Sequence, residues 1–146
     1  MGDRRQSREL ALQALFFFDM DKSDPQAALD AFCESNREKL TLTVAPFFLD
    51  LVNGVLEHKD RIDDLINQSA KNWKISRMPV VDRNIMRMAA FEMLERADIP
   101  SSVSINEAVE IGKKFGTKDS GPFINGVLDR IKSTEKIDES GKGGRF

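Results

Sequence analysis

The apolar residues of this chain recur at steps of three and four along most of its length. Near the start, Leu10, Ala11, Ala14, Leu15 and Phe18 fall on one face of a helix. A longer apolar seam begins at residue 46 and keeps the same spacing to residue 66, with a bend expected near residues 58–60. Period-two alternation never lasts, so no strand pattern competes. The spacing predicts an all-α fold.

Several start and stop signals divide the pattern into helices. Asp24 followed by Pro25 predicts one helix start, Pro79 another, and residues 119–122 (Asp-Ser-Gly-Pro) a third. Residues 104–107 match a capping box, in which a Ser hydroxyl and a Glu carboxylate satisfy each other's backbone amides. Gly116 follows at the place of a left-handed C-terminal cap. From about residue 134 the chain is polar and Gly-rich, which predicts a flexible tail over 134–146.

Two segments of the chain echo one another. Residues 51–57 (LVNGVLE) resemble residues 123–129 (FINGVLD), and each contains Asn-Gly inside helical spacing. We interpret Gly54 and Gly126 as points where another helix approaches closely, which would offset a propensity cost of about 1 kcal/mol. The similarity predicts two halves with related helices. Chance likeness between two amphipathic helices is the alternative.

Charge and cysteine content limit the possible functions. The 146 residues carry a formal net charge of -2, so a nucleic-acid site must be local and cannot cover the surface. Cys33 is the single cysteine, which excludes an intramolecular disulfide and fits a reducing compartment. No run of 18 apolar residues and no secretory signal occurs, so we expect a cytoplasmic protein without a membrane partner.

The sequence shows no pattern typical of a catalytic site. His58 is the single histidine and has no soft ligand near it, so we expect a solvated helix residue and no metal site. Cys33 lacks a basic neighbour that would lower the pKa of its thiol. The glycines at 112, 116, 121 and 126 do not form a nucleotide-binding fingerprint. We expect no cofactor and no enzymatic activity.

Two clusters of basic residues predict a local RNA site. Arg4, Arg5 and Arg8 precede the first apolar helix face, where guanidinium groups can contact phosphates or stack on bases. The alternative is an ordinary solvated end. The second cluster lies beside Phe123 and consists of Lys113, Lys114 and Lys118. If folding brings the two clusters together, they form one patch.

At these residues the sequence resembles the NusB family of bacterial transcription-antitermination factors. The resemblance spans nearly the whole chain and rests on an ordered set of motifs: RRQSRE at 4–9, ALQAL at 11–15, Trp73, DRNIMR at 82–87, INEAVE at 105–110, KFG at 114–116 and FINGVLD at 123–129. It implies about seven helices in two packed helical bundles. The expected organisation is one all-helical domain over 1–133, with halves of about 1–72 and 73–133. Two alternatives remain. One is a stand-alone helical domain related to the N-terminal domain of some ribosomal RNA cytosine methyltransferases, and the other is a helical adaptor that contacts only protein.

The resemblance also implies partners and site residues. The family binds the boxA element of ribosomal RNA leader transcripts together with the ribosomal protein NusE, and joins RNA polymerase and other Nus factors. Its RNA surface would use the three arginines, with Phe123 stacking on a base unless it is core, and Asp119 bordering the site unless it caps a helix. Phe16 and Asp82 would face NusE, Asp82 by pairing with a basic residue. Gln6 interrupts the arginine run and Phe16 replaces a common Tyr, which predicts weaker binding of both partners. A homodimer is also possible.

Overall fold

The computed structural model describes residues 2–21 and 24–137, and within these ranges every regular element is helical. The seven α-helices are α1 (Asp3–Met20), α2 (Pro25–Ser35), α3 (Ala45–Glu57), α4 (Lys59–Ser69), α5 (Val80–Glu95), α6 (Ser101–Phe115) and α7 (Ser120–Thr134). A short 3-10 helix, Ile75–Arg77, lies between α4 and α5. The predicted all-α fold with about seven helices is confirmed.

Helix α5 forms the centre of the molecule. It packs against α1, α3, α4, α6 and α7, and its Ile85, Met86, Met93 and Leu94 side chains are fully buried. The buried apolar residues form one cluster from Leu10 to Ile137, with α1 and α3 on one side of α5 and α6 and α7 on another. Helix α4 packs mainly against α5 and α7, although the predicted division near residue 72 assigns it to the N-terminal half. That division remains a prediction.

Local signals correctly predicted several helix ends. The Asp24 carboxylate accepts a hydrogen bond from the Gln26 amide, and Pro25 occupies the first position of α2. Pro79 directly precedes α5. The bend expected near residue 58 is a full break, at which the half-buried His58 ends α3 and precedes α4.

Other local signals were wrong. Residues 104–107 lie inside α6, which begins at Ser101, so the predicted capping box is not formed. The buried Ser104 hydroxyl instead donates a hydrogen bond to Glu92 of α5. Gly116 ends α6 with φ -98° and ψ -155°, which is extended backbone and not a left-handed cap. Thr134 is the last residue of α7, and Ile137 beyond it is still buried. Residues 138–146 lie outside the described residues, so the flexible tail remains a prediction.

The two echoing segments differ in their surroundings. A Cβ atom at Gly54 would lie 2.2 Å from Cε1 of the buried Phe91, so this glycine lets α3 approach α5 closely. At Gly126 the nearest atoms belong to the Arg130 guanidinium, 3.8 Å away. The predicted close approach is therefore confirmed for Gly54 and wrong for Gly126.

A buried ion pair joins the N-terminal part of α1 to α5. The Arg8 guanidinium donates two hydrogen bonds to the Glu92 carboxylate, at 2.9 Å from Nε and 2.7 Å from Nη2. The two side chains are only 4% and 2% exposed. Because each charge is buried, removing either partner would leave the other as an unpaired charge in the interior, which strongly destabilises a fold.

A second polar cluster joins the other end of α1 to α5. One carboxylate oxygen of Asp19 accepts hydrogen bonds from Arg83, Asn84 and Arg87, at 2.8 to 3.0 Å. Arg87 also donates to Asp63 of α4. These bonds outweigh the effect of burial and hold the pKa of Asp19 below its ordinary value. Helix α1 is thus held against α5 near both of its ends, with the two helices antiparallel.

None of the helices in the described part of the chain is both long enough and apolar enough to cross a membrane.

Candidate nucleic-acid interface

An open groove lies where the N-terminal part of α1 meets the C-terminal part of α6. We call it the basic groove; it has a volume of about 440 Å³ and is lined by Arg5, Glu9, Glu110, Ile111, Lys113 and Lys114. Arg5 comes from the first predicted basic cluster, and the two lysines come from the second. Folding therefore brings residues of the two clusters to one surface, although they lie more than 100 residues apart in the chain.

Each cation that lines the basic groove also contacts a carboxylate. Arg5 donates two hydrogen bonds to Glu107, at 2.9 and 2.6 Å. The ammonium of Lys114 lies 3.0 and 3.1 Å from the two carboxylate oxygens of Glu9. Lys113 lies 3.2 Å from Glu110, one helical turn earlier. The hydrogen bond from Arg5 holds the pKa of Glu107 below its ordinary value, so the groove carries opposite charges side by side.

The groove cations nevertheless remain accessible to a ligand. The side chains of Arg5, Lys113 and Lys114 are 42%, 64% and 52% exposed. The cation of each pair is reachable from solvent, and a phosphate oxygen can replace a carboxylate oxygen with similar geometry. The ammonium of Lys114 also lies 5.1 Å from the centre of the half-exposed Phe115 ring, which adds an aromatic face to this rim.

Arg4 lies outside the groove lining but stays at the surface. Its guanidinium is 3.3 Å from Asp98 and 5.0 Å above the ring of Phe47. Asp98 also accepts two hydrogen bonds from Arg96, which strongly lowers the pKa of its carboxyl group. Half of the Arg4 side chain is exposed, so it is available to contact a bound strand.

Arg8 does not fit its predicted role at the surface. Its guanidinium is buried in the ion pair with Glu92, and its Nη1 atom lies 3.6 Å from Glu107. A group this buried is closed to phosphate or to a base. Glu107 contacts both Arg5 and Arg8, so the buried Arg8 connects the groove residue Arg5, through Glu107, to Glu92 of α5.

Lys118 and Asp119 lie in the turn between α6 and α7 and are both exposed. Asp119 occupies the position before α7, but its side chain makes no capping hydrogen bond. Instead, the Ser120 hydroxyl accepts a hydrogen bond from the Thr117 amide and supports the turn. Both Lys118 and Asp119 are therefore accessible to a ligand, although neither lines the groove.

Asp82 does not lie on the surface where the partner contact was expected. It is 4% exposed, and its carboxylate accepts a 2.7 Å hydrogen bond from Ser120. Burial raises the pKa of the Asp82 carboxyl group. The buried carboxylate cannot form a direct ion pair with a protein partner. It instead holds the α6–α7 turn against α5.

The predicted aromatic contacts differ in exposure. Phe123 is half-buried and packs against the core, so only part of its ring is available for stacking. Phe16 is 38% exposed, and its neighbour Phe17 is 59% exposed. Phe17 and Met20, which is 63% exposed, were not selected from the sequence, because they lie off the apolar face predicted for this helix.

The structure also shows functional residues that the sequence analysis did not select. Glu9, Glu107 and Glu110 neutralise the groove cations. Only the Glu110 contact has a local signal, since Glu110 and Lys113 lie three residues apart on one helix. The partners of Arg5 and Lys114 lie 102 and 105 residues away and have no signal in the sequence.

No group of three or more potential ligands with metal-binding geometry occurs among the described side chains. His58 lies 4.0 Å from Glu57 and from Glu95 and is half-buried, so the expected solvated residue is instead part of a helix junction. Cys33 is also half-buried, and burial raises the pKa of its thiol. Neither residue is presented as a nucleophile.

The fold and the groove residues occur in a chain whose sequence matches a known protein family. The model of the NusB family matches residues 5–133. A transcription antitermination protein NusB from Desulforapulum autotrophicum is 61% identical over 142 residues, which cover 97% of this chain and 99% of the relative. This chain belongs to the NusB family.

Solved NusB structures agree with this assignment. The structure of T. maritima NusB has a TM-score of 0.81 at 35% identity, with 91% of this chain and 92% of the other covered. A crystal structure of the antitermination factors NusB and NusE in complex with double-stranded RNA also has a TM-score of 0.81. Its identity is 24%, with 92% of this chain and 98% of the other covered, so it supports the NusB fold alone.

Proposed function

We propose that this chain is a transcription antitermination factor that binds the boxA element of ribosomal RNA leader transcripts together with NusE. In this role it joins RNA polymerase and other Nus factors in the cytoplasm and catalyses no reaction. Membership of the NusB family supports the role. The observation that carries the RNA site is the basic groove, where exposed cations from α1 and α6 converge.

The proposed RNA contacts are made by residues at or near the groove. Arg5, Lys113 and Lys114 bind phosphates inside it, while Arg4 and Lys118 extend the positive surface beyond it. The exposed edge of Phe123 contacts a base. Asp119 borders this surface and repels the strand. Arg8 contributes by holding α1 in place and makes no contact with RNA.

RNA binding at the groove proceeds by exchange of anions. A phosphate that approaches Arg5 or Lys114 replaces Glu107 or Glu9, so part of the attraction is offset by the ion pair that is lost. A strand that places its phosphates and bases correctly recovers this loss through several contacts at once. A strand with the wrong shape does not, which favours specific RNA over arbitrary RNA.

We place the NusE contact at the C-terminal end of α1. Phe16, Phe17 and Met20 expose apolar surface there, typical of the centre of a protein interface. Asp82 acts indirectly, by holding the α6–α7 turn through Ser120. A homodimer through the same apolar surface is a second possible assembly.

The test is a titration of the full chain with boxA RNA and with a scrambled RNA of equal composition, each with and without NusE. We expect tighter binding of boxA RNA and a further gain when NusE is present. Equal affinity for the two RNAs in both conditions would refute the proposal. Copurification with NusE and no RNA binding under any condition would instead identify a protein-only adaptor.

A further inference from the structure

The segment between α4 and α5 forms a second basic surface, which no part of the proposed boxA site uses. We call it the Trp73 patch and define it by its lining residues: Asn67, Lys71, Asn72, Trp73, Lys74 and Arg77. These side chains surround an open depression of about 600 Å³. Its volume exceeds that of the basic groove, and none of its residues lies on α1 or α6.

Trp73 is exposed although its segment is held in place. Its side chain is 54% exposed, whereas tryptophan is usually mostly buried. The Asn67 side chain accepts a 2.7 Å hydrogen bond from the Ile75 amide, and the Trp73 amide bonds to Ala70. Lys71 has a left-handed φ of 50°, which forms the turn after α4. The fold therefore presents a flat aromatic surface to solvent from a fixed loop.

The charges of the Trp73 patch have no carboxylate partner. Lys71, Lys74 and Arg77 form no ion pair with any residue in the described ranges. Residues 65–81 contain these three cations and no Asp or Glu. The nearest acidic residue in the sequence before them, Asp64, lies on α4 one turn ahead of Asn67. In contrast, each cation of the basic groove contacts a glutamate.

We propose that the Trp73 patch is a binding site for single-stranded RNA of any sequence. Its three cations bind successive phosphates, and an unpaired base stacks on the indole of Trp73. Uncompensated cations beside an exposed aromatic ring are the combination by which proteins hold single strands without reading bases. A partner protein would need a matching acidic surface, whereas every RNA strand supplies both phosphates and flat bases.

The patch can be tested separately from the basic groove. Arg83 donates hydrogen bonds to Asp19 and to the carbonyl of Ile75, which places the patch near the C-terminal end of α1. The groove residues Arg5 and Glu9 lie near the N-terminal end. The two ends are separated by 10 to 14 residues of helix, or about 15 to 21 Å. Substitutions in one site therefore leave the other intact.

Trp73 is the single tryptophan of a chain that has no tyrosine, so its fluorescence reports on this patch alone. The full chain is titrated at low salt with a short oligouridylate, which lacks boxA. We expect quenching that saturates, because the stacked base contacts the indole directly. Absence of quenching would overturn the proposal, as would a change of fluorescence caused by NusE and not by RNA.

A charge-matched pair of variants identifies the cations. In the double variant K71A/K74A, the Kd measured by quenching should rise about tenfold. The slope of log K against log salt concentration should become shallower by about 1.4, since each phosphate contact with a single strand contributes about 0.7. The control K39A/K59A removes the same charge from exposed positions elsewhere and should match the wild type. Equal loss in both variants would overturn the site.

The role of the indole is tested with labelled oligouridylate and fluorescence anisotropy. Trp73→Ala should weaken binding by about tenfold, and Trp73→Phe should restore part of it, because stacking needs an aromatic face. Wild-type affinity in Trp73→Ala would overturn the stacking contact. None of these measurements uses boxA RNA. If boxA specificity were refuted while quenching persisted, the patch would stand and the proposed function alone would fail.

Discussion

The two basic surfaces of this molecule differ in what surrounds their cations. In the basic groove, Arg5, Lys113 and Lys114 each contact a glutamate. In the Trp73 patch, the cations stand beside an exposed indole and form no ion pair within the described residues. The same residue types are therefore used in two electrostatic settings.

We expect this difference in ion pairing to make RNA binding selective at the groove and unselective at the patch. A ligand of the groove has to displace carboxylates, so only a strand that makes several contacts together gains free energy. A ligand of the patch displaces only counterions, whose release favours any strand at low salt. We infer that the groove selects its RNA and the patch retains it.

The largest effect is expected for Arg8→Ala, which removes the buried arginine that connects the groove to α5. The substitution leaves the buried Glu92 without its guanidinium partner and should lower the free energy of unfolding by about 3 kcal/mol. Urea denaturation measures the change. Arg37→Ala breaks an exposed ion pair with Glu34 and should stay within about 0.5 kcal/mol of the wild type. An equal effect of both variants would contradict the assigned role of Arg8.

The double variant R5A/K114A removes two of the groove cations and changes no residue of the Trp73 patch. It should weaken boxA binding by about tenfold, because two phosphate contacts are lost, Glu9 loses its lysine partner and Glu107 keeps only Arg8. Filter binding over a range of salt concentrations measures the loss. Quenching of Trp73 by oligouridylate should be the same as in the wild type, with K39A/K59A as the charge-matched control. Loss of both signals would mean that the two surfaces are one site.

Glu9→Gln should make the groove behave more like the patch. Lys114 then loses its carboxylate partner, so affinity should rise by about threefold for boxA RNA and at least as much for scrambled RNA. The ratio of the two dissociation constants measures selectivity and should fall. Glu34→Gln, which removes an exposed carboxylate far from the groove in sequence, should leave the ratio unchanged. A rise in selectivity would argue against anion exchange.

The smallest effect is expected for Asp119→Asn in the turn between α6 and α7. Removing this exposed charge should tighten boxA binding by about twofold at low salt, since the repulsion is screened by water and ions. Because the Asp119 side chain forms no capping bond, stability should not change. Weaker binding in a competition assay would show that Asp119 does not border the RNA.

Local patterns in the sequence were sufficient for the helices and insufficient for the contacts between them. Apolar spacing and the Asp24 and Pro79 signals predicted helices correctly because they depend on neighbours within a few residues. The apparent capping box at 104–107 failed because Ser104 bonds to Glu92 on another helix. Likewise, Arg8 and Asp82 were expected at the surface, and their burial depends on partners 84 and 38 residues away. The motif resemblance selected residues of α1 and α6 that line the basic groove, but it did not show which of their side chains are exposed.

Two polar contacts fix the position of α1 against α5. Glu92 pairs with Arg8, and Arg83 and Arg87 pair with Asp19. Eleven residues of helix, or about 16 Å, separate the two contacts. Neither end can slide or tilt without breaking a buried or half-buried ion pair. If the proposed sites are correct, RNA at the basic groove and NusE at the C-terminal end of α1 are therefore held at a constant spacing.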